Sequence, residues 1–214
     1  LAAIVLSFAL LSSAPALFGQ EPPSVRVPEG NGKPILIDGL FSPGEWDDAL
    51  KIEIRPNLQL LLKKSGGFVF IGFKYTPFTL PVIDLFISPD AKTIRHLHVS
   101  AQLGERLLND TPGADDDPEF NWGDTSGWYA NEIRWSERKI QALMKEGKTR
   151  DQGQAASVYA YDGFELQIRE SKFASGEWLV RLESPMPPDW SKPVIYPAGT
   201  DSAWTRGWLK LILK

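Results

Sequence analysis

The sequence predicts an all-β protein, an antiparallel β-sandwich of about ten short strands with one short helix. Short apolar or alternating segments recur along the chain and are separated by turn residues, which is the pattern of strands. The 214 residues include 18 Gly and 17 Pro for turns, and 8 Trp, 5 Tyr and 11 Phe that favour strands. A hydrophobic content of 43% and a charged content of 23% exclude a disordered chain.

The predicted strands are short runs of β-favouring residues bounded by Gly, Pro, Asp or Asn. In chain order they are 33–38, 51–55, 58–63, 68–75, 82–88, 93–101, 128–135, 158–161, 164–169, 178–183 and 203–213. Residues 64–67, Lys-Ser-Gly-Gly, predict a hairpin turn. The segment 82–88 is apolar on both faces, which indicates a central strand.

One segment has the apolar spacing and the end signals of a helix. Ser136 is a good N-cap, Ile140, Leu143 and Met144 form an apolar stripe, and Gly147 is a typical terminator. Residues 102–127 show no periodicity and predict a long loop, and long loops in compact domains tend to carry function.

The N-terminal region predicts a targeting segment. Residues 1–11 are apolar and uncharged, small residues follow, and the run is shorter than the roughly 20 residues that span a bilayer. We therefore expect an N-terminally incomplete signal peptide at 1–19, a linker at 20–32 and a single domain at 33–214. The expected protein is exported, periplasmic or extracellular, and not integral to the membrane. The alternative is a buried N-terminal strand or helix.

The composition argues against several classes of function. A net charge of -4 without a basic run argues against nucleic acid as a partner, because phosphate recognition needs clustered Lys and Arg. The absence of Cys excludes disulfides, thiolate metal sites and cysteine nucleophiles. Neither a Gly-x-Ser-x-Gly elbow nor a phosphate-binding glycine loop is present, so no sequence motif supports an enzyme.

Several segments resemble the carbohydrate-binding module family 9-like domains of the DOMON-like β-sandwich group. The resemblance is carried by 35–39 (Ile-Leu-Ile-Asp-Gly), 44–49 (Gly-Glu-Trp-Asp-Asp-Ala), 82–89 and 163–168. It implies a sandwich in which aromatic rings hold a saccharide, often as an accessory to a glycan-degrading enzyme. A glycan-degrading enzyme is therefore an expected partner. The alternative is an envelope protein that contacts the aromatic surface. Some members carry structural calcium, and some relatives bind haem. We expect Trp46 itself to pack in the core.

The candidate ligand-binding residues are aromatic and ionic side chains that share strand faces, because every second residue of a strand points to one side. A sugar stacks its C–H face on an indole and bonds its hydroxyls to charged groups. The candidates are Trp122, Trp128, Glu132, Arg134, Trp204, Arg206, Trp208, Asp84, His96 and His98. The alternative for the Trp residues is that they fill the core.

Two histidines separated by one residue suggest a different site. His96 and His98 would point to the same side of a strand and could chelate a metal, with Asp84 or Glu132 as a third ligand. The alternative is a pair of histidines hydrogen-bonded within a polar face.

The sequence also leaves two other cofactors as alternatives, haem and calcium. A haem site would pair one histidine with Met144 or Met186. The acidic loop offers oxygen ligands that suit structural calcium at Asp115, Asp117 and Asp124, although a solvated turn is the alternative. No cofactor is certain from the sequence.

Overall fold

The computed structural model describes residues 22–76, 82–109, 119–173, 176–186 and 189–214. Within these residues the chain forms two β-sheets that enclose a shared hydrophobic core, so the all-β sandwich prediction is confirmed. In chain order the described strands are β1 (Ser24–Arg26), β2 (Leu50–Arg55), β3 (Leu58–Ser65), β4 (Phe68–Tyr75), β5 (Ile83–Ser88), β6 (Thr93–Val99), β7 (Leu103–Asn109), β8 (Asn121–Trp122), β9 (Trp128–Ala130), β10 (Gly163–Arg169), β11 (Glu177–Met186), β12 (Asp189–Tyr196) and β13 (Leu209–Ile212).

The first sheet contains eight strands in the order β1-β13-β11-β5-β6-β7-β8, with β12 paired to β11 outside this path. The pairs are antiparallel except β1 with β13, which is parallel. β1 comes from the segment expected as a linker, and the following Val27 is buried. β12 contains Pro193 and, among the described strands, pairs with β11 alone, which is the edge position that a proline tolerates.

The second sheet contains five strands in the order β2-β3-β4-β10-β9. The predicted hairpin at 64–67 joins β3 to β4, and Gly66 and Gly67 adopt φ angles of 59° and 79°. Glycine suits this turn because the left-handed region penalises a side chain.

The core lies between the sheets and follows the period of two along each strand. Leu60 and Leu62 of β3 face Leu85 and Leu97 of the first sheet within one cluster, and all four are at most 1% exposed. Burying a leucine fully contributes about 1.5–3 kcal/mol. The opposite faces of the sheets carry two smaller apolar clusters as well as polar groups.

Two α-helices stand in the described part of the chain. The predicted helix is confirmed as α1 (Glu137–Lys145), with the Ser136 side chain accepting a hydrogen bond from Lys139 N. A second helix, α2 (Arg150–Ala155), was not predicted, and a capping box between Thr149 and Gln152 begins it. A short 3₁₀ turn follows β10 at Glu170–Lys172. Among the described residues, no helix combines the length and the apolarity needed to span a bilayer.

Several strand boundaries differ from the prediction. The predicted strand 128–135 ends at Ala130, and the predicted strand 203–213 is regular only from Leu209. Residues 33–38 form no strand, and Val158 contributes only an isolated bridge to Trp135. The predicted loop 102–127 contains β7 and β8, because the chain reverses after Val99 and pairs again at Leu103.

Candidate functional site

The outer face of the first sheet carries a cluster of polar side chains at its centre. In β5, Ile83 and Leu85 point into the core, so Asp84 and Phe86 point outward. The antiparallel register places Asp84 opposite His98 and Phe86 opposite His96. The next pair along the sheet sets Arg106 of β7 opposite His96. We call Asp84, His96, His98 and Arg106 the His–Asp cluster.

Both histidines bond to the same carboxylate oxygen. Asp84 Oδ1 lies 2.7 Å from His96 Nε2 and 2.8 Å from His98 Nδ1. Arg106 Nε donates to His96 Nδ1 at 2.9 Å, and a guanidinium cannot accept a hydrogen bond. The proton of a neutral His96 therefore sits on Nε2, from which it is donated to Asp84.

These contacts set the charges of the cluster. Burial alone would raise the pKa of Asp84, but the hydrogen bonds and charges of His96 and His98 outweigh it and lower that pKa to about 2. Burial lowers the pKa of His96, against the opposing effect of Asp84. At neutral pH the cluster therefore holds an ionised Asp84 and a neutral His96.

Two aromatic rings border the cluster. Phe120 and Trp122 lie 4.9 Å apart between ring centroids, and Trp122 meets the His98 ring edge-on at 5.4 Å. Arg106 lies over the Phe120 ring at 4.5 Å, a cation–π distance. Trp122 remains 48% exposed, so its indole is open to a ligand directly beside the polar cluster.

The opposite side of the cluster contains a buried arginine. Arg181 of β11 pairs with Phe86 in register and stacks over its ring at 5.0 Å. Its Nη2 lies 2.7 Å from Glu183 Oε2, whereas Nε and Nη1 have no hydrogen-bond partner among the residues that the structure describes. Trp208 meets the same Phe86 ring edge-on at 6.3 Å. The cluster therefore lies between an exposed aromatic border and a buried cation.

The structure brings four of the predicted ligand-binding residues together: Asp84, His96, His98 and Trp122. Two further candidates, Trp128 and Trp208, are buried, with only 3% and 0% of their surface exposed. These two indoles both donate their N–H, Trp128 to Glu105 Oε2 at 2.9 Å and Trp208 to Asp201 O at 2.9 Å. Their burial favours the alternative that these two Trp residues belong to the core.

The other four predicted residues lie away from the His–Asp cluster. Glu132 and Arg134 form an ion pair at 3.3 Å and line a separate cavity of about 170 Å³ with Tyr129 and Tyr161. That cavity is formed by residues at the end of β9 and just after it, beside the second sheet. Trp204 and Arg206 are exposed on the irregular segment before β13 and not on the strand that was predicted there. Because residues 204–208 form no strand, the expectation that Trp204, Arg206 and Trp208 share one strand face is wrong.

The His–Asp cluster does not fit a metal. Each histidine uses one ring nitrogen on Asp84, and Arg106 occupies the second nitrogen of His96. Across the described ranges, no group of three His, Cys, Asp or Glu side chains could hold a metal ion. For the haem alternative, Met144 lies 40% exposed on α1 and Met186 is the last residue of β11.

The calcium prediction falls mostly outside the described residues, where Asp115 and Asp117 lie. Asp124 is described, and its carboxylate accepts hydrogen bonds from Asn121 Nδ2 at 2.9 Å and from Ser126 N at 3.0 Å. These bonds close its own loop. Asp124 therefore has the role of a turn residue in this structure, and calcium stays a prediction.

A larger cavity of about 330 Å³ lies beside β7 and β8. It is lined by charged and polar groups that include Arg95, Asn121 and Lys172. Buried Glu105 also lines this cavity and pairs with Lys172 Nζ at 2.9 Å and with Arg95 Nη1 at 3.4 Å. Most of these charges are therefore already balanced within the protein.

The motif that carries the family resemblance meets a buried carboxylate. Glu165 of β10 accepts hydrogen bonds from Gly39 N at 2.8 Å, Asp38 N at 3.1 Å and Trp46 Nε1 at 2.8 Å. Burial raises the pKa of Glu165 to about 7, although these donors act against it. Trp46 is 4% exposed, which confirms its predicted place in the core. The motif therefore holds the segment before β2 against the second sheet.

Sequence reasoning missed Phe120, Arg106 and Arg181. Phe120 and Arg106 lie in the region that was predicted to be a loop, so neither the register of Arg106 in β7 nor the place of Phe120 just before β8 could be predicted. A three-residue hairpin after Val99 is the signal that would have placed Arg106 opposite His96.

The sequence matches no protein-family model and no curated protein. Among solved structures, it is similar to a candidate carbohydrate-binding protein from Bacteroides uniformis. The TM-score is 0.44 and the sequence identity is 9%, over 90% of this chain and 99% of that chain. Neither a family nor a ligand follows from a likeness this distant.

Proposed function

We propose that the chain binds carbohydrate on the outer face of its first sheet, at the surface formed by the His–Asp cluster and Trp122. The observation that carries the proposal is the exposed Trp122 indole standing edge-on to His98 at 5.4 Å, while His98 bonds to the ionised Asp84 at 2.8 Å. A flat apolar platform and a fixed charge therefore lie side by side.

This combination suits a pyranose for two physical reasons. The C–H face of the ring is apolar and stacks on an exposed indole, and Trp122 offers that surface. The hydroxyl groups donate to anionic acceptors, and such charge-assisted hydrogen bonds are stronger than neutral ones. Both histidines use Oδ1 of Asp84, and within the described residues Oδ2 accepts no hydrogen bond. Oδ2 is therefore the acceptor that we assign to a sugar hydroxyl.

The wider setting is part of the same proposal. We infer that the chain is a carbohydrate-binding module family 9-like domain, exported to the periplasm or the extracellular space. The support is the sequence motif around Asp38-Gly39 and Trp46 and the apolar N-terminal segment. In this setting it would hold a glycan end or an oligosaccharide for a glycan-degrading enzyme.

The test is a titration with a panel of soluble mono- and oligosaccharides, read by calorimetry and by Trp fluorescence. We expect binding by the wild-type protein and a loss of at least tenfold in affinity for Trp122→Ala. Trp204→Ala is the matched control, because Trp204 is similarly exposed at 44% but lies outside the cluster. The absence of binding to every sugar, or equal losses in the two variants, would contradict the proposal.

A further inference from the structure

Three side chains of the outer face form a continuous hydrogen-bonded chain. Asp84 Oδ1 lies 2.8 Å from His98 Nδ1, and His98 Nε2 lies 3.0 Å from Ser100 Oγ. The carboxylate, the imidazole and the hydroxyl follow one another in the order in which hydrolases activate a serine nucleophile. No sequence motif indicated this arrangement, because the three residues do not form a Gly-x-Ser-x-Gly elbow.

The local backbone explains why the three groups meet. The period of two places His98 and Ser100 on the same side of β6 and its immediate continuation. Asp84 lies directly opposite His98 in the register of β5 and β6. The carbonyl of Ser100 accepts a hydrogen bond from Ile133 N at 2.8 Å, which fixes the backbone that carries the hydroxyl. Ser100 is partly exposed.

The positions of the protons suit a general base. Because an ionised carboxylate only accepts hydrogen bonds, the His98 nitrogen that faces Asp84, Nδ1, carries a proton. In a neutral imidazole the lone pair then lies on Nε2, which faces Ser100 Oγ. His96 donates to the same oxygen of Asp84 and so holds the carboxylate in position.

We propose that Ser100, His98 and Asp84 form a nucleophile, a general base and an orienting carboxylate that cleave carboxylic esters. This activity goes beyond the proposed sugar binding and does not depend on it. Activated esters are the expected first substrates, because a good leaving group reduces the need to stabilise the tetrahedral oxyanion.

The reaction consists of two balanced steps. In the first, Ser100 Oγ forms a bond to the ester carbonyl carbon while its proton passes to His98 Nε2. The bond from that carbon to the alkoxy oxygen breaks, and the alcohol leaves with the proton from Nε2. In the second, the oxygen of a water molecule attacks the acyl carbon and gives its proton to Nε2. Ser100 Oγ then leaves with that proton, and a carboxylic acid is released.

If Ser100 has only a structural role, a different experimental result is expected. Its hydroxyl donates to Gln102 O at 3.0 Å, which competes with His98 Nε2 for the one hydroxyl proton, and Gln102 N donates to Oγ at 3.2 Å. If Ser100 only closes the hairpin between β6 and β7, its replacement would change stability, but the hydroxyl would not react with acylating or phosphonylating reagents.

The deciding experiment is the reaction of the folded wild-type protein with a fluorophosphonate probe, followed by peptide mapping. We expect the adduct on Ser100, with labelling at least tenfold slower in Asp84→Asn and absent from this peptide in Ser100→Ala. Ser202→Ala is the control, because Ser202 is also partly exposed and lies outside the cluster. It should label at the wild-type rate.

A second measurement is the hydrolysis of p-nitrophenyl acetate, which should fall at least tenfold in Ser100→Ala and stay unchanged in Ser202→Ala. No adduct on Ser100 of the wild-type protein would overturn the proposal, whatever the stability of the variants. The sugar titration on Ser100→Ala, which keeps Trp122, reads the proposed binding function separately.

Discussion

Asp84 and His98 are direct partners across β5 and β6, with Asp84 Oδ1 2.8 Å from His98 Nδ1. The same oxygen receives His96 at 2.7 Å, so one carboxylate orients two imidazoles. Because its side chain is only 22% exposed, Asp84 keeps its charge through these partners and not through water. The relationship therefore affects stability as well as the proposed functions.

Acid should weaken the protein through Asp84. The His partners lower the pKa of Asp84 from 3.8 to about 2, so the folded state binds its proton later than the unfolded state. The resulting stability, about 2 kcal/mol, is present above pH 3.8 and is lost as the pH falls to 2. Urea unfolding of wild type and Asp84→Asn from pH 2 to 7 should show a difference that shrinks in this window. Asp47→Asn, at an exposed position, is the control variant.

Glu165 should give the opposite pH dependence. Burial raises the pKa of Glu165 from 4.5 to about 7, so the folded state holds the proton where the unfolded state has lost it. Stability from this group is therefore greatest below pH 4.5 and decreases by about 3 kcal/mol as the pH rises to 7. In Glu165→Gln this decrease should disappear. Chemical unfolding at several pH values between 4 and 8 measures it, and parallel curves for both proteins would contradict it.

The sequence predicted the features that depend on local pattern. The turn at 64–67 and the helix that begins after Ser136 depend on residues next to one another in the chain, and both are present. The period of two also placed His96 and His98 on one side of a strand correctly. The lateral register between strands cannot be read from one strand alone. The partnership of His98 with Asp84 therefore required the structure.

The sequence also did not predict which of the candidate Trp residues are buried and which are exposed. An indole has a large apolar surface and one N–H donor, so its composition fits both a ligand platform and a core with a buried acceptor. Glu105 provides that acceptor for Trp128, and the Asp201 carbonyl provides it for Trp208. Both acceptors are distant from their indoles in the sequence or lie on an irregular segment. No local pattern therefore distinguished these two Trp residues from the exposed Trp122.

The two Trp residues that flank Arg206 should differ sharply in their effect on stability. Trp208 is 0% exposed and packs against Phe86, so Trp208→Ala should destabilise the fold by about 3–5 kcal/mol. Trp204 is 44% exposed, and Trp204→Ala should change the free energy of unfolding by less than about 0.5 kcal/mol. Guanidinium unfolding monitored by circular dichroism measures both. Similar losses in the two variants would contradict the assignment of Trp208 to the core.

Arg181 and Glu183 should show that a buried charge depends on its partner. The Arg181 side chain is 3% exposed, and its ion pair with Glu183 at 2.7 Å compensates a guanidinium whose Nε and Nη1 make no hydrogen bond within the described part of the chain. Glu183→Gln removes that compensation and should cost about 3 kcal/mol, because the remaining buried charge is unpaired. Arg181→Met removes the charge itself and should cost less than about 1 kcal/mol, since apolar replacement of a buried ion is often neutral.

The double variant distinguishes this explanation from a simple loss of contacts. If the cost of Glu183→Gln comes from the unpaired guanidinium, adding Arg181→Met should recover most of the lost free energy of unfolding. Lys210→Gln is the control, because its pair with Glu177 at 3.3 Å is more exposed and should contribute no more than about 1 kcal/mol. Additive losses in the double variant would mean that the two side chains stabilise the sheet independently, and the buried cation would then need no partner.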